Sequence, residues 1–143
     1  MTSPAVHRIL LAEDNPGDVL LFREALRSCN LTYELIVAED GEKALKLLER
    51  VASDGNLAAL DLIVLDVNLP RRSGQEVLRW VRATPPLATV PVIILTSSAS
   101  PDDKTMATRL GADLYVQKSS DLDEIFQIGH TVQDLLERRV PGP

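Results

Sequence analysis

Leu62-Ile63-Val64-Leu65-Asp66-Val67-Asn68-Leu69-Pro70 is an apolar run that ends on a carboxylate. A run of four such residues, bounded by polar ones, reads as a strand buried on both faces, as in a parallel sheet covered by helices. The form recurs three times. Ile9-Leu10-Leu11-Ala12 meets Glu13-Asp14, Val92-Ile93-Ile94-Leu95 meets Thr96, and Leu114-Tyr115-Val116-Gln117 meets Lys118. All four read as buried strands. In open parallel sheets, functional groups gather beyond the carboxyl ends of the strands, where the strand order reverses. The four stops therefore predict one site made of three acids, a hydroxyl and an amine.

The segments between these runs carry helix signals. Asn15-Pro16-Gly17-Asp18 reads as a helix start, with Asn15 as cap and Pro16 as first helical residue, and the apolar stripe is Val19, Phe22, Ala25 and Leu26. A further strand, Tyr33 to Ala38, leads to Asp40 and a helix with Ala44, Leu45, Leu48 and Val51 on one face. Ala52 to Leu60 reads as a surface loop. Ser73-Gly74-Gln75-Glu76 has capping-box spacing and opens a helix with Val77, Leu78 and Val81 inward, stopped by Thr84-Pro85-Pro86. Pro91 suits the first position of a strand. Ser100-Pro101-Asp102-Asp103 starts a fourth helix carrying Met106, Ala107 and Leu110, ended by Gly111. The last helix is expected from about Asp121 to Arg138. This alternation predicts an α/β fold with a parallel sheet and right-handed crossovers.

The 143 residues suffice for one domain with its own core. A net charge of −6 argues against nucleic acid or an anionic membrane as direct partner. The single cysteine, Cys29, excludes an internal disulfide and a Cys-based zinc site, and reads as an ordinary thiol. The amino end lacks a long apolar stretch, so a cytoplasmic protein is expected. His7 and His130 lack ligand spacing, Trp80 reads as packing, and Arg71 and Arg72 read as solvated residues of the loop after Asp66.

The chemistry centres on Asp66. Beside Glu13 and Asp14, its carboxylate would meet like charge, which raises carboxyl pKa values. An all-oxygen, water-rich site of this kind suits Mg²⁺. A cation, a hydroxyl (Thr96) and an ammonium (Lys118) are what phosphoryl transfer needs to neutralise the transferred group, with Asp66 as nucleophile forming an acyl phosphate.

Four stretches carry a resemblance: Leu11-Ala12-Glu13-Asp14-Asn15; Leu65-Asp66-Val67-Asn68-Leu69-Pro70 with Gly74; Leu95-Thr96-Ser97; and Gly111-Ala112-Asp113-Leu114-Tyr115-Val116-Gln117-Lys118. Over essentially its whole length the chain resembles the receiver domains of bacterial response regulators, the CheY-like family. The resemblance implies a flavodoxin-like (βα)5 doubly wound sheet in order 2-1-3-4-5, as a single receiver domain over 1–143 with its core at about 6–138. It implies that Asp66 accepts a phosphoryl group from a histidine kinase or phosphotransfer protein. Asp14, Asp66 and the Asn68 carbonyl would bind Mg²⁺, with Glu13 helping through water. Thr96 and Tyr115 would form a switch pair, and Asn68 and Ser98 would flank the path of the attacking water. The chain would be a phosphoacceptor rather than an enzyme, transferring phosphoryl to itself and dephosphorylating itself.

Two departures stand out. The family usually has Pro after the lysine, often with a cis peptide before it, where this chain has Ser119. A non-proline cis bond costs about 3 kcal/mol, which leaves the Lys118–Ser119 geometry open. The acidic pair is Glu-Asp rather than the commoner Asp-Asp. The Glu-Asp-Asn-Pro-x-Asp opening, the 52–60 segment and Lys-Ser are similar to features of the small regulators of bacterial phytochromes and related kinases. With no output module expected in the chain, signalling would pass through an unidentified downstream protein or a homodimer formed by the fourth helix, fifth strand and last helix. Ile128 and Leu135 are candidates for that dimer face.

Three other readings are weaker. A phosphatase of the haloacid dehalogenase type needs a second Asp two residues after the nucleophile, where this chain has Asn68. A pseudo-receiver that binds partners without phosphorylation would not require Asp14, Asp66, Thr96 and Lys118 together. A mononucleotide-binding flavodoxin-like protein would place phosphate after the first strand, where Glu13 and Asp14 repel it.

Overall fold

The apolar runs pair as parallel strands because every one is followed by a helix that returns the chain to the opposite end of the sheet. In the computed structural model, which describes residues 6–54 and 59–139, the strands are β1 (His7–Ala12), β2 (Tyr33–Ala38), β3 (Leu62–Leu65), β4 (Val92–Thr96) and β5 (Leu114–Gln117). The helices are α1 (Pro16–Arg27), α2 (Gly41–Ser53), α3 (Gly74–Ala83), α4 (Pro101–Arg109) and α5 (Leu122–Arg139), with a short 3-10 turn at Pro85–Leu87. The sheet order is β2-β1-β3-β4-β5, the doubly wound arrangement expected. Register sets Ala12 against Leu65 and Leu65 against Ile94, so the tips of β1, β3 and β4 lie side by side.

Alternation along each strand sends neighbours to opposite faces. Leu10, Ile63, Leu65 and Ile94 pack with Leu48 of α2 and Leu78 of α3 on one side. Ile9, Leu11, Leu62, Val64 and Ile93 pack with Phe22 and Leu26 of α1 and Val132 and Leu136 of α5 on the other. The caps are those read from the sequence. Asn15 accepts from the Gly17 and Asp18 amides, Asp40 from Lys43, Ser73 from Glu76 and Ser100 from Asp103. The Ser73 box is half made, because the Glu76 carboxylate takes Arg72 Nη1 at 3.3 Å instead of turning back. Gly111 ends α4 at φ +97°, a conformation that suits glycine.

The structure corrects several expectations. β5 is not buried like β1, β3 and β4: Leu114 is 37% exposed and Gln117 is open. Its side chains sit at a sheet edge, where one neighbour is missing. Met106 is also exposed, leaving Ala107 as the buried residue of α4. The expected 52–60 loop begins as the last turn of α2 and ends on buried Leu60, while residues 55–58 lie outside the described residues. Strand β4 starts at Val92, one residue after Pro91, whose carbonyl accepts from Ile63 N at 3.0 Å. Ile128 and Leu135 pack half-buried against the α1 side of the core, so they are not a free dimer face. The exposed apolar residues of α5 are Leu122 and Phe126. No described peptide is cis, so Lys118–Ser119 is trans.

Candidate functional site

Backbone ladders run one step past the strand ends and fix three of the four stops, the fourth, Thr96, being the last residue of β4. Glu13 N donates to the Ala38 carbonyl at 2.9 Å, Asp66 N to Ala12 at 3.2 Å and Lys118 N to Thr96 at 2.7 Å. The chain after Asp66 turns so closely that the Gly74 amide reaches the Val67 carbonyl at 3.1 Å. A Cβ on Gly74 would lie 2.1 Å from the Asp66 carbonyl oxygen, so only glycine lets α3 begin there.

Lys118 ties the acids together. Its Nζ lies 2.7 Å from Asp66 Oδ2, 2.5 Å from Glu13 Oε1 and 2.8 Å from Asp18 Oδ2. The other oxygens are held by backbone amides: Asp66 Oδ1 accepts from Asn68 N at 3.0 Å, and Glu13 Oε2 from Asn15 N at 3.1 Å. Glu13 and Asp66 are 3% and 5% exposed, while Asp14 is open to solvent. Ligand oxygens of Glu13, Asp14 and Asp66 lie within 4.8 Å of one another, close enough to share a cation. Thr96, fully buried, stands at the tip of β4, and its Oγ1 accepts from Ser98 N at 3.3 Å.

These surroundings set the protonation states. Burial raises the Glu13 carboxyl, against the Lys118 ammonium and the Asn15 amide, and the net shift is upward. Burial also acts to raise Asp66, but Lys118, the Asn68 amide and the Thr96 hydroxyl outweigh it and bring the group below the ordinary carboxylate range. Desolvation disfavours the Lys118 ammonium, yet hydrogen bonds to Asp18, Asp66 and Glu13 more than reverse this and hold it protonated.

Every sequence-predicted site residue except Tyr115 thus meets at one sheet end. Tyr115 stands one strand away, its hydroxyl donating to the Ser98 carbonyl at 3.0 Å. Ser98 does not present a free hydroxyl to the site, because it donates to Asp103 Oδ2 at 2.6 Å. Two residues escaped the sequence reading. Asp18 was visible only as part of a helix start and of the Glu-Asp-Asn-Pro-x-Asp opening, with no role assigned, and Asp103 only as part of a helix start. Asp18 becomes a partner of Lys118 through packing of elements distant in sequence, whereas Asp103 meets Ser98 across the short turn that opens α4. Arg71 and Arg72 are exposed, as expected, but they pair within the chain, with Asp40 and Glu42 and with Glu76 respectively. Trp80 packs half-buried on the core. His130 is exposed, and its Nδ1 lies 4.0 Å from Cys29 Sγ.

Residues 9–129 match the family model of the response regulator receiver domain. The chain belongs to the response regulator receiver family. It is 36% identical over 135 residues to the response regulator Rcp1 of Synechocystis sp., covering 94% of this chain and 92% of that one. It superposes on the phosphorylated cyanobacterial phytochrome response regulator RcpA with a TM-score of 0.84 at 33% identity, covering 97% and 99% of the two chains. It superposes on the Mn²⁺-bound form of Rcp1 with a TM-score of 0.81 at 33% identity, covering 96% and 99%. Receiver domains take phosphoryl groups from histidine kinases, and the acid cluster found here has the composition of a divalent metal site. Among the described residues, no helix is long and apolar enough to cross a membrane.

Proposed function

We propose that this receiver accepts a phosphoryl group on Asp66 and relays it as a change of surface. The observation that carries the reading is the setting of one carboxylate: Asp66 is ionised, pinned by the Asn68 amide, and faced by the Lys118 ammonium at 2.7 Å. An Asp66 oxygen attacks the phosphorus of a phosphohistidine, the phosphorus–nitrogen bond breaks, and the donor imidazole leaves with its electron pair. Lys118 and the Thr96 hydroxyl then face the new phosphoryl oxygens. Glu13 (through water), Asp14, Asp66 and the Asn68 carbonyl are the residues that would hold Mg²⁺. All these donors are oxygens, and the cluster already draws in a cation, the Lys118 ammonium. Bound there, Mg²⁺ supplies further charge neutralisation. Water hydrolyses the acyl phosphate in time, and no other substrate turns over.

Thr96 and Tyr115 form the switch, and both are held by Ser98, one through its amide and the other through its carbonyl. When the Thr96 hydroxyl turns to the phosphoryl group it releases the Ser98 amide, which loosens the loop that anchors Tyr115. The altered surface lies on α4, β5 and α5, where a downstream protein or a second copy docks. Likeness to Rcp1 and RcpA supports a phytochrome-type histidine kinase as donor, and hence a cytoplasmic exchange.

Intact mass after incubation with Mg²⁺ and acetyl phosphate tests the reading. One phosphoryl gain that requires Mg²⁺ and vanishes in Asp66→Asn is expected. Equal gain in the variant would move the acceptor elsewhere.

A further inference from the structure

The Lys118 ammonium has three N–H donors and three carboxylates around it, but the three are not equivalent. Glu13 and Asp66 belong, with Asp14, to the oxygen cluster suited to a cation. Asp18 stands apart from that cluster, on the first turn of α1, 2.8 Å from Nζ. The Asn15 side chain accepts from the Asp18 amide and fixes this turn. Leu21, Phe22, Leu95 and Ile125 line the small cavity beside the Asp18–Lys118 pair, and an apolar wall strengthens an ion pair by lowering the local dielectric.

An ammonium that leaned only on Glu13 and Asp66 would compete with an incoming divalent cation for the same oxygens. Its four-carbon stem is flexible, so once displaced it would be free to swing away. We infer that Asp18 is a positioning residue, which keeps the Lys118 ammonium at the acid cluster while a cation and the phosphoryl group take the oxygens of Glu13 and Asp66. The inference rests on Asp66 as phosphoacceptor. Asp18 touches neither phosphorus nor metal and acts through Lys118.

A double-mutant cycle reads this directly. Mg²⁺ affinity by calorimetry and the rate of labelling by acetyl phosphate are measured for the wild type, Asp18→Asn, Lys118→Ala and the double variant. Loss of one charge-assisted hydrogen bond predicts labelling slowed about tenfold and Mg²⁺ bound several-fold more weakly in Asp18→Asn. In the Lys118→Ala background the same change should alter either quantity by less than about twofold. Asp18→Glu should recover part of the rate. Equal losses in both backgrounds would overturn the inference and leave Asp18 as a helix-start acid. Should Asp18→Asn not fold, Asp18→Ser gives the same cycle. A wild type that binds Mg²⁺ with the predicted coupling yet takes no phosphoryl group would sink the phosphoacceptor reading, while the Asp18–Lys118 coupling stands.

Discussion

Lys118 is the residue on which the resting site depends. Without it, and without a divalent cation, Glu13 and Asp66 are buried carboxylates facing each other. Removing one partner of a buried ion pair costs about 3 kcal/mol or more, so Lys118→Met should lose about that much at neutral pH, read by urea unfolding in chelated buffer. Asp66 is held below its ordinary pKa, so its contribution is present above the unfolded value and lost as pH falls through the folded one. Glu13 is shifted upward, so its contribution runs the other way: full below the unfolded value and lost as pH rises through the folded one. In the Lys118→Met variant both carboxyls lose their ammonium partner and protonate more easily. Its deficit should therefore shrink as pH falls from about 7 to about 4.5, as linkage requires. A deficit unchanged over that range would mean that Lys118 stabilises by packing alone. Mg²⁺ should restore more stability to this variant than to the wild type, because binding to the folded state stabilises by mass action. Asp66, Glu13 and Lys118 were legible in the sequence because each directly follows an apolar run. The role of Asp18 was not, since its carboxylate meets Lys118 only once α1 has docked against α5.

At the scale of elements, the start of α3 is the tightest join. A methyl on Gly74 would meet the backbone carbonyl of Asp66, which has no room to yield without moving the phosphoacceptor loop. Gly74→Ala should cost about 2–3 kcal/mol, as overpacking does, and should slow labelling as well, both measurable by melting and by mass. Asn15→Ala removes the cap of α1 and should cost about 1 kcal/mol. A larger effect on labelling than on melting would reflect the displaced Asp18. Helix starts were readable because capping is local chemistry within four residues. The exposure of β5 and of Met106 was not, because an apolar run records side-chain type while burial depends on which strand becomes the edge.

At the scale of the molecule, the α4–β5–α5 surface sets exposed Met106 of α4 and Leu114 of β5 beside polar residues of α5. The α5 residues that line the groove beside β5 include Glu124, Gln127 and Thr131, while exposed Leu122 and Phe126 fall on the helical row of Gly129, which packs on Ala25 of α1. Self-association of the phosphorylated protein through the β5 side should therefore rest on Met106 and Leu114, and should persist as salt rises from about 0.05 M to about 1 M, where the Debye length falls to about 3 Å. Sedimentation at the two salt levels checks this. A phosphorylated form that stays monomeric at both would remove the dimer from the proposed output.

The sequence by itself determined the strands, the caps and the three acids, the hydroxyl and the amine at the strand tips. These are consequences of local hydrophobic runs and of turn chemistry, which short stretches carry in full. Only the tertiary structure decided that Lys118 has a third carboxylate partner in Asp18, that Ser98 joins Thr96 to Tyr115, and that Ile128 and Leu135 serve the core. Those facts depend on distances between groups on different elements, and such distances exist only after the helices and strands have packed together.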